Sequence, residues 1–310
     1  MKLIILLLSC NQKYFKKQCE ETKRQFQKQI DHFNLNDNVK IYSYTSGTNE
    51  GIINDTIYCN TLDDYNHTYE KTIRCFEILD ENNIEYDYIF RTNSSTFINI
   101  KLLYEFVKKI FDKKFFNDKY FSSALCSINR TFAPNQYDIV AQGKGMLFNK
   151  YLLNLLMNNR YLFNNENITK RYIFIREYIN DTGEHCVTDD TTISTIYNLI
   201  HIYNNENYID YMYTFLHHSS YLYLKNSKMN TWDIVKNYIS ITLKDSSNGE
   251  IDYNVYMKEL TDIICSSNYD DNELNYIVMQ NIYINNYAPV FKGFTENPMF
   301  NYIKRNINFD

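Results

Sequence analysis

The sequence predicts an α/β protein, a mixed sheet flanked by helices. Strand-like apolar runs alternate with segments of helical period along most of the chain. The first run, "LIILLL", is continuously apolar, as a strand covered on both faces must be. The stretch directly after it, "NQKYFKKQCEETKRQFQKQIDHF", has the period of an amphipathic helix.

In chain order, strands are expected near 2–8, 39–44, 55–59, 86–91 and 120–125, and a hairpin-like or twisted pair across 138–148 ("DIVAQGKGMLF"). Helices are expected near 12–31, 66–82, 98–113, 149–159 and 189–203, and 210–224 reads as a last strand or two closing the sheet. After about 225 the alternation stops. "NTWDIVKNYISITLK" and "ELNYIVMQNIYINNYA" read as helices, so the chain divides into a domain over 1–225 and a helical extension over 226–310. A chain of 310 residues is long enough for a large core with such an appendage.

Composition removes several function classes. A net charge of −5 argues against a nucleic-acid binder, which needs clustered lysine and arginine. The 7 cysteines are odd in number, scattered and never spaced C-x-x-C, which signals neither a zinc ribbon nor a disulfide framework and suits a reducing compartment. Several N-x-S/T triplets follow from the richness in Asn and Thr. "MKLIILLLSC" also resembles the start of a lipoprotein signal, but its apolar run is short for that and far too short to span a bilayer. The expectation is a cytoplasmic protein with no transmembrane segment.

No phosphate loop, dinucleotide fingerprint, nucleophile elbow or H-E-x-x-H motif is present. Four segments carry signal together: "LDDYNHTYEKT" (62–72), "YDYIFRTNSSTF" (86–97), "IVAQGKGMLFN" (139–149) and "VTDDTTIS" (187–194). In the second, a strand delivers Arg91, Thr92 and Asn93 to one point. In the fourth, Asp189 and Asp190 precede a helical run, where one carboxylate can cap the helix while the other faces a cleft.

In order and spacing these segments resemble the fringe and β-1,3-galactosyltransferase family of inverting glycosyltransferases, over roughly 2–225. Asp63, Tyr65, Lys71 and Thr72 match that family's D-S-Y-x-N-L-T-L-K-T element, and "QGKGMLF" resembles its glycine-rich acceptor-side segment. Asp189-Asp190-Thr191 resembles its E/D-D-V segment, and His217 or His218 resembles its late metal-contacting histidine. The departure is Arg91-Thr92-Asn93, which occupies the slots of the acidic D-x-D metal motif.

The resemblance implies a GT-A (nucleotide-diphospho-sugar transferase) fold with a Rossmann-like mixed sheet. It implies a hexosyltransferase whose donor is a nucleotide-diphosphate sugar, UDP-linked foremost, and whose acceptor is a hydroxyl of a glycan or glycoprotein. Asp189 or Asp190 would be the general base. Lys71, Arg91, Thr92, Asn93, Gly143 and Gly145 would face the donor, and Arg91, bidentate for phosphate oxygens, would supplant some or all of the Mn²⁺ or Mg²⁺. Two other readings stay open: a non-catalytic sugar- or nucleotide-binding domain, and a nucleotidyltransferase.

Overall fold

The structure, a computed structural model, describes residues 1–113, 121–123, 126–130, 137–141, 143–160, 188–204, 212–214, 217–218, 235–243, 253–267 and 269–287. The first part of the chain forms β1 (Leu3–Leu8), α1 (Lys13–His32), β2 (Val39–Ser46), β3 (Gly51–Ile53), β4 (Thr56–Cys59), α2 (Thr68–Glu81), β5 (Tyr88–Asn93), β6 (Thr96–Ile98) and α3 (Ile100–Lys113). It continues through β7 (Phe121–Ser123), β8 (Cys126–Arg130), β9 (Tyr137–Ala141), β10 (Met146–Asn149), α4 (Lys150–Asn159) and α5 (Asp189–Tyr203). The last elements are β11 (Met212–Thr214), β12 (His217–His218), β13 (Ser240–Thr242), α6 (Tyr253–Ser266) and α7 (Asp271–Tyr287).

Among the described residues the main sheet has eight strands in the order β11-β7-β10-β5-β1-β2-β4-β3. β5, β1, β2 and β4 run parallel, and β10 lies antiparallel between β5 and β7. Helices cover both faces, and β1 shows why its sequence is apolar throughout. Leu3, Ile5 and Leu7 enter one core while Ile4 and Leu6 enter the other, the two-residue period of a strand buried on both sides. α1, α3, α6 and α7 supply residues to the first core, and α2, α4 and α5 to the second. The expected α/β class is therefore the observed one.

Beneath the first face, α1 carries a buried polar stripe of Gln18, Thr22, Gln25 and Gln29. Thr22 Oγ1 donates to the Ser94 carbonyl at 2.8 Å, and Gln29 bonds the Ile98 carbonyl at 3.1 Å and the Ile100 amide at 3.0 Å. Buried backbone polar groups must be paired somewhere. Thr22 pairs the turn after β5 and Gln29 the junction of β6 with α3, so the first helix fixes the exit from β5 and the entry to α3.

Three local expectations are corrected. β9 and β10 do not form a hairpin: β9 pairs with β8 in a separate two-stranded sheet, while β10 inserts between β5 and β7. Segment 210–224 does not close one sheet, since β11 joins the edge of the main sheet whereas β12 pairs with β13 in a three-stranded sheet ending on β6. "NTWDIVKNYISITLK" is not one helix, because Ser240–Thr242 is a strand against β6. The β-branched residues of "ISIT" lose rotamer freedom in a helix and pack well in a sheet. The β3–β4 pair was not expected, and its signal is the turn Asn54-Asp55, both at positive φ (47° and 57°), as a tight hairpin turn requires.

Of the tail, Val235, Ile239, Ile241, Leu243, Met257, Leu260, Leu274 and Ile277 share one core with Leu3, Ile5 and Leu7. Among the described residues no helix is long and apolar enough to cross a membrane.

Candidate active site

The chain passes from β1 through α1 to β2 on one side of β1, and later through α2 to β5 on the other. Strand order thus reverses between β1 and β5, the point at which open α/β sheets leave a crevice beyond the carboxyl ends of their strands. Register places Leu8 of β1 beside Asn93 of β5 at this edge. Arg91, Thr92 and Asn93 are the last three residues of β5, so a strand delivers them to the mouth of the crevice.

Alternation decides which way each points. Ile89 lies in the core under α2, α4 and α5, and Arg91, two residues on, faces the same layer. Its guanidinium is 1% exposed. Nη2 pairs with Asp189 Oδ2 at 2.6 Å, Nη1 donates to the Gly143 carbonyl at 2.6 Å, and Nε donates to the Tyr44 hydroxyl at 3.0 Å. Thr72 Oγ1 on α2 donates to Asp189 Oδ2 at 2.9 Å and lies 2.9 Å from the Tyr44 hydroxyl. With Thr72 donating to the carboxylate and Tyr44 accepting from Arg91, the tyrosine proton points at Thr72. A closed ring results, Arg91 to Tyr44 to Thr72 to Asp189, in which every bond polarises the next.

Burial pushes the Asp189 carboxyl above the usual carboxylate range, opposed mainly by the guanidinium and by the Thr72 hydroxyl. Burial works against the charge of Arg91 too, but Asp189 and Tyr44 outweigh it and hold its pKa above the ordinary arginine value. Burial pushes the Tyr44 phenol well up, which keeps it a donor. Arg91, expected to face a donor diphosphate, has its side chain directed to Asp189 as a buried counter-charge. The reason is strand parity together with the position of Asp189 as the first residue of α5.

Three segments remote in sequence meet beside this ring. Asp190, half-buried, accepts the Gly143 amide proton on Oδ2 at 2.8 Å, and Thr92 Oγ1 donates to the Lys144 carbonyl at 3.0 Å. A Cβ placed on Gly143 would stand 2.7 Å from Arg91 Nη1, 3.4 Å from Asp190 Oδ2 and 3.5 Å from Asn93 Nδ2. Glycine is required here by close approach, whereas Gly145 is simply buried. Gly143→Ala must push back the Arg91 guanidinium, itself locked by Asp189, and is expected to cost about 1–3 kcal/mol in chemical denaturation. Asn93 Oδ1 is buried and without a hydrogen-bond partner among the described residues. A polar atom so placed marks a position where a bound group can complete the pairing.

Lys71 and Asp63 form a second centre along the same edge. Lys71 is buried and its Nζ meets Asp63 Oδ1 at 2.6 Å, while Asp63 Oδ2 accepts the Asn11 amide at 2.5 Å. Those contacts outweigh the opposing effect of burial, and the Asp63 pKa is lowered. Lys71 and Thr72 are consecutive on α2, so one helix braces both centres. His217 and His218 form β12, paired with β13, whose other neighbour β6 begins three residues after Asn93.

The structure therefore gathers Arg91, Asn93, Gly143, Asp189 and Asp190, with Thr92 tied in through Lys144. Tyr44 and Thr72 were missed as members of the ring. Thr72 had a signal, standing in a matched motif, but Tyr44, one of 30 tyrosines, had none. Among the described residues, the end of β5 does not offer a divalent cation the carboxylates it prefers. The β5 end offers a guanidinium, a hydroxyl and an amide, and among the described residues no group of three or more His, Cys, Asp or Glu is placed to hold a metal.

No protein-family model matches this chain, and no curated protein matches it. Among solved structures it is similar to a glycosyltransferase involved in the glycosylation of the major capsid of PBCV-1, at 10% sequence identity and a TM-score of 0.47, covering 84% of this chain and all of the other. A likeness that distant carries no weight for activity.

Proposed function

We propose that this protein is a glycosyltransferase that moves a hexose from a nucleotide-diphosphate sugar, UDP-linked foremost, to a hydroxyl of a glycan or glycoprotein, with inversion. The observation that carries the reading is the meeting of Asp190, Asn93 and Gly143 at the carboxyl end of β5, beside the switch point of the sheet. The order of four motif-like segments supports it, as does a GT-A reading of the mixed sheet.

In this reading Asp190 is the general base. Asp189 is occupied by Arg91 and Thr72, whereas Asp190 holds one lobe against the Gly143 amide and is the less buried of the two. Asp190 takes the proton of the acceptor hydroxyl as its oxygen bonds to the anomeric carbon, and the nucleoside diphosphate leaves with the electron pair of the broken glycosyl bond. Asn93 and the main chain of Gly143–Gly145 face the donor. Arg91 contributes from behind, holding the Gly143 carbonyl and the start of α5 in register. Asp63, braced by Lys71 and Asn11, presents a carboxylate to sugar or ribose hydroxyls farther along the edge. Residues 1–225 carry this machinery, and the described tail residues, among them Val235, Met257 and Leu274, pack into the core shared with α1 and α3. A reducing, cytoplasmic setting agrees with Cys10, Cys19, Cys59, Cys75 and Cys265, which are free thiols.

Donor turnover over a panel of UDP- and GDP-sugars tests the reading. Sugar release and transfer are expected. Their absence across the panel would favour a pure binder, and activation of a sugar 1-phosphate would reveal a nucleotidyltransferase. A second expected result concerns metal: turnover persists in chelator and gains little from added Mn²⁺, because no carboxylates stand in the D-x-D slots. Strict metal dependence would overturn that part.

A further inference from the structure

The loops at the carboxyl edge of the sheet carry a surface that the transfer reaction does not use. The first turn of α1, residues 13–17 (KYFKK), is exposed throughout, with Tyr14 at 56% and Phe15 at 42% exposure and their rings edge to face at 5.3 Å. The loop after β4 adds Leu62 at 62% and Tyr65 at 67%. The Asn11–Asp63 hydrogen bond ties these two loops together, so both apolar groups occupy one rim. Single exposed hydrophobics are unremarkable on a protein surface, but grouped ones mark an interaction site.

The rim also carries charge. Lys2, Arg24, Lys28 and Arg74 are paired with Glu85, Glu21, Asp262 and Glu50, whereas Lys108 and Lys150 are exposed with no ion pair among the described residues. Among the described residues, Lys13, Lys16 and Lys17 make no ion pair, and the first turn of α1 holds no acid. Of the neighbouring acids, Asp63 is engaged by Lys71, Asp64 by His67 and Glu21 by Arg24, while Glu20, one turn on, is exposed. A chain of net charge −5 thus shows a patch in which three lysines face one such acid, Glu20, interleaved with aromatic side chains.

From this combination we infer that the rim docks the protein on the surface of an anionic phospholipid bilayer, with Tyr14, Phe15, Leu62 and Tyr65 entering the headgroup region and Lys13, Lys16 and Lys17 meeting lipid phosphates. Aromatic and aliphatic groups gain from the interface while lysines gain from its negative potential. The orientation turns the β1–β5 crevice toward the membrane, where a lipid-borne acceptor would be presented. The inference stands apart from the transfer reaction, since binding is measured without turnover.

Co-sedimentation of the full chain with vesicles tests it, using phosphatidylcholine alone and phosphatidylcholine mixed with phosphatidylglycerol. Binding is expected only to the mixed vesicles and is expected to weaken as salt rises. K13Q/K16Q/K17Q should reduce it roughly a hundred-fold, and Y14S/F15S by roughly ten-fold or more, with circular dichroism unchanged because all five side chains are exposed. No binding to mixed vesicles, equal binding to both kinds, or wild-type binding by the two variants would overturn the inference. So would complete release by soluble glycerol phosphate, which would mark a small-anion site in place of a membrane surface.

Discussion

Arg91→Met is expected to lower the free energy of unfolding by about 3–5 kcal/mol. Removing one partner of a buried pair leaves the other charge without compensation, and the Thr72 hydroxyl and Asp190 backbone amide that still bond Asp189 are neutral donors. The pH dependence carries a definite sign. Burial already pushes Asp189 upward with Arg91 as the chief opposing influence, so in the variant its pKa rises further above the unfolded value of about 3.9. A group raised in this way contributes stability that is present below the unfolded value and is lost as pH climbs through the folded one. The deficit of Arg91→Met should accordingly be small near pH 4 and grow toward neutrality in urea melts. Adding Asp189→Leu should return most of the loss, since an apolar pair of similar volume avoids the desolvation of both ions. A deficit independent of pH, or a double variant no better than the single one, would show that the pair is not the buried unit described here.

Asp190→Asn is expected to separate catalysis from stability. Loss of a positioned general base costs on the order of 10²–10⁴-fold in turnover. The asparagine oxygen still accepts the Gly143 amide, so the melting curve should move by less than about 0.5 kcal/mol. Asp189→Asn is the informative contrast: it breaks the Arg91 pair and should lose stability along with rate. Transfer assays beside denaturation curves for both variants distinguish the two aspartates. Full turnover in Asp190→Asn would remove it as the base.

Much of the site was legible in the sequence, for reasons that can be named. Arg91-Thr92-Asn93 follows an apolar β-prone run, so strand periodicity alone brings it to a sheet edge. Asp189 and Asp190 precede a helical run, so both fall in the first turn of α5. What could not be read was the direction of Arg91. Its parity with Ile89 assigns it to one face, but which face lies under α5, and that Asp189 stands there to meet it, depends on contacts 98 residues apart in the chain. Tyr44 and Thr72 were hidden for the same reason, since their roles exist only where β2, α2, β5 and α5 converge. The β9–β10 hairpin failed because proximity in sequence favours local pairing, whereas the free edge of β5 gave β10 a longer-range partner.

By itself the sequence determined the elements and their order: the two-faced apolar period of β1, the amphipathic period of α1 and the chemical types delivered at each strand end. Only the tertiary structure decided that a buried arginine would face inward to an aspartate and leave its neighbour at the crevice. Periodicity is a property of adjacent residues and can be read along the chain, but the compensation of a buried charge is a property of residues that meet only once the sheet and helices have closed around it.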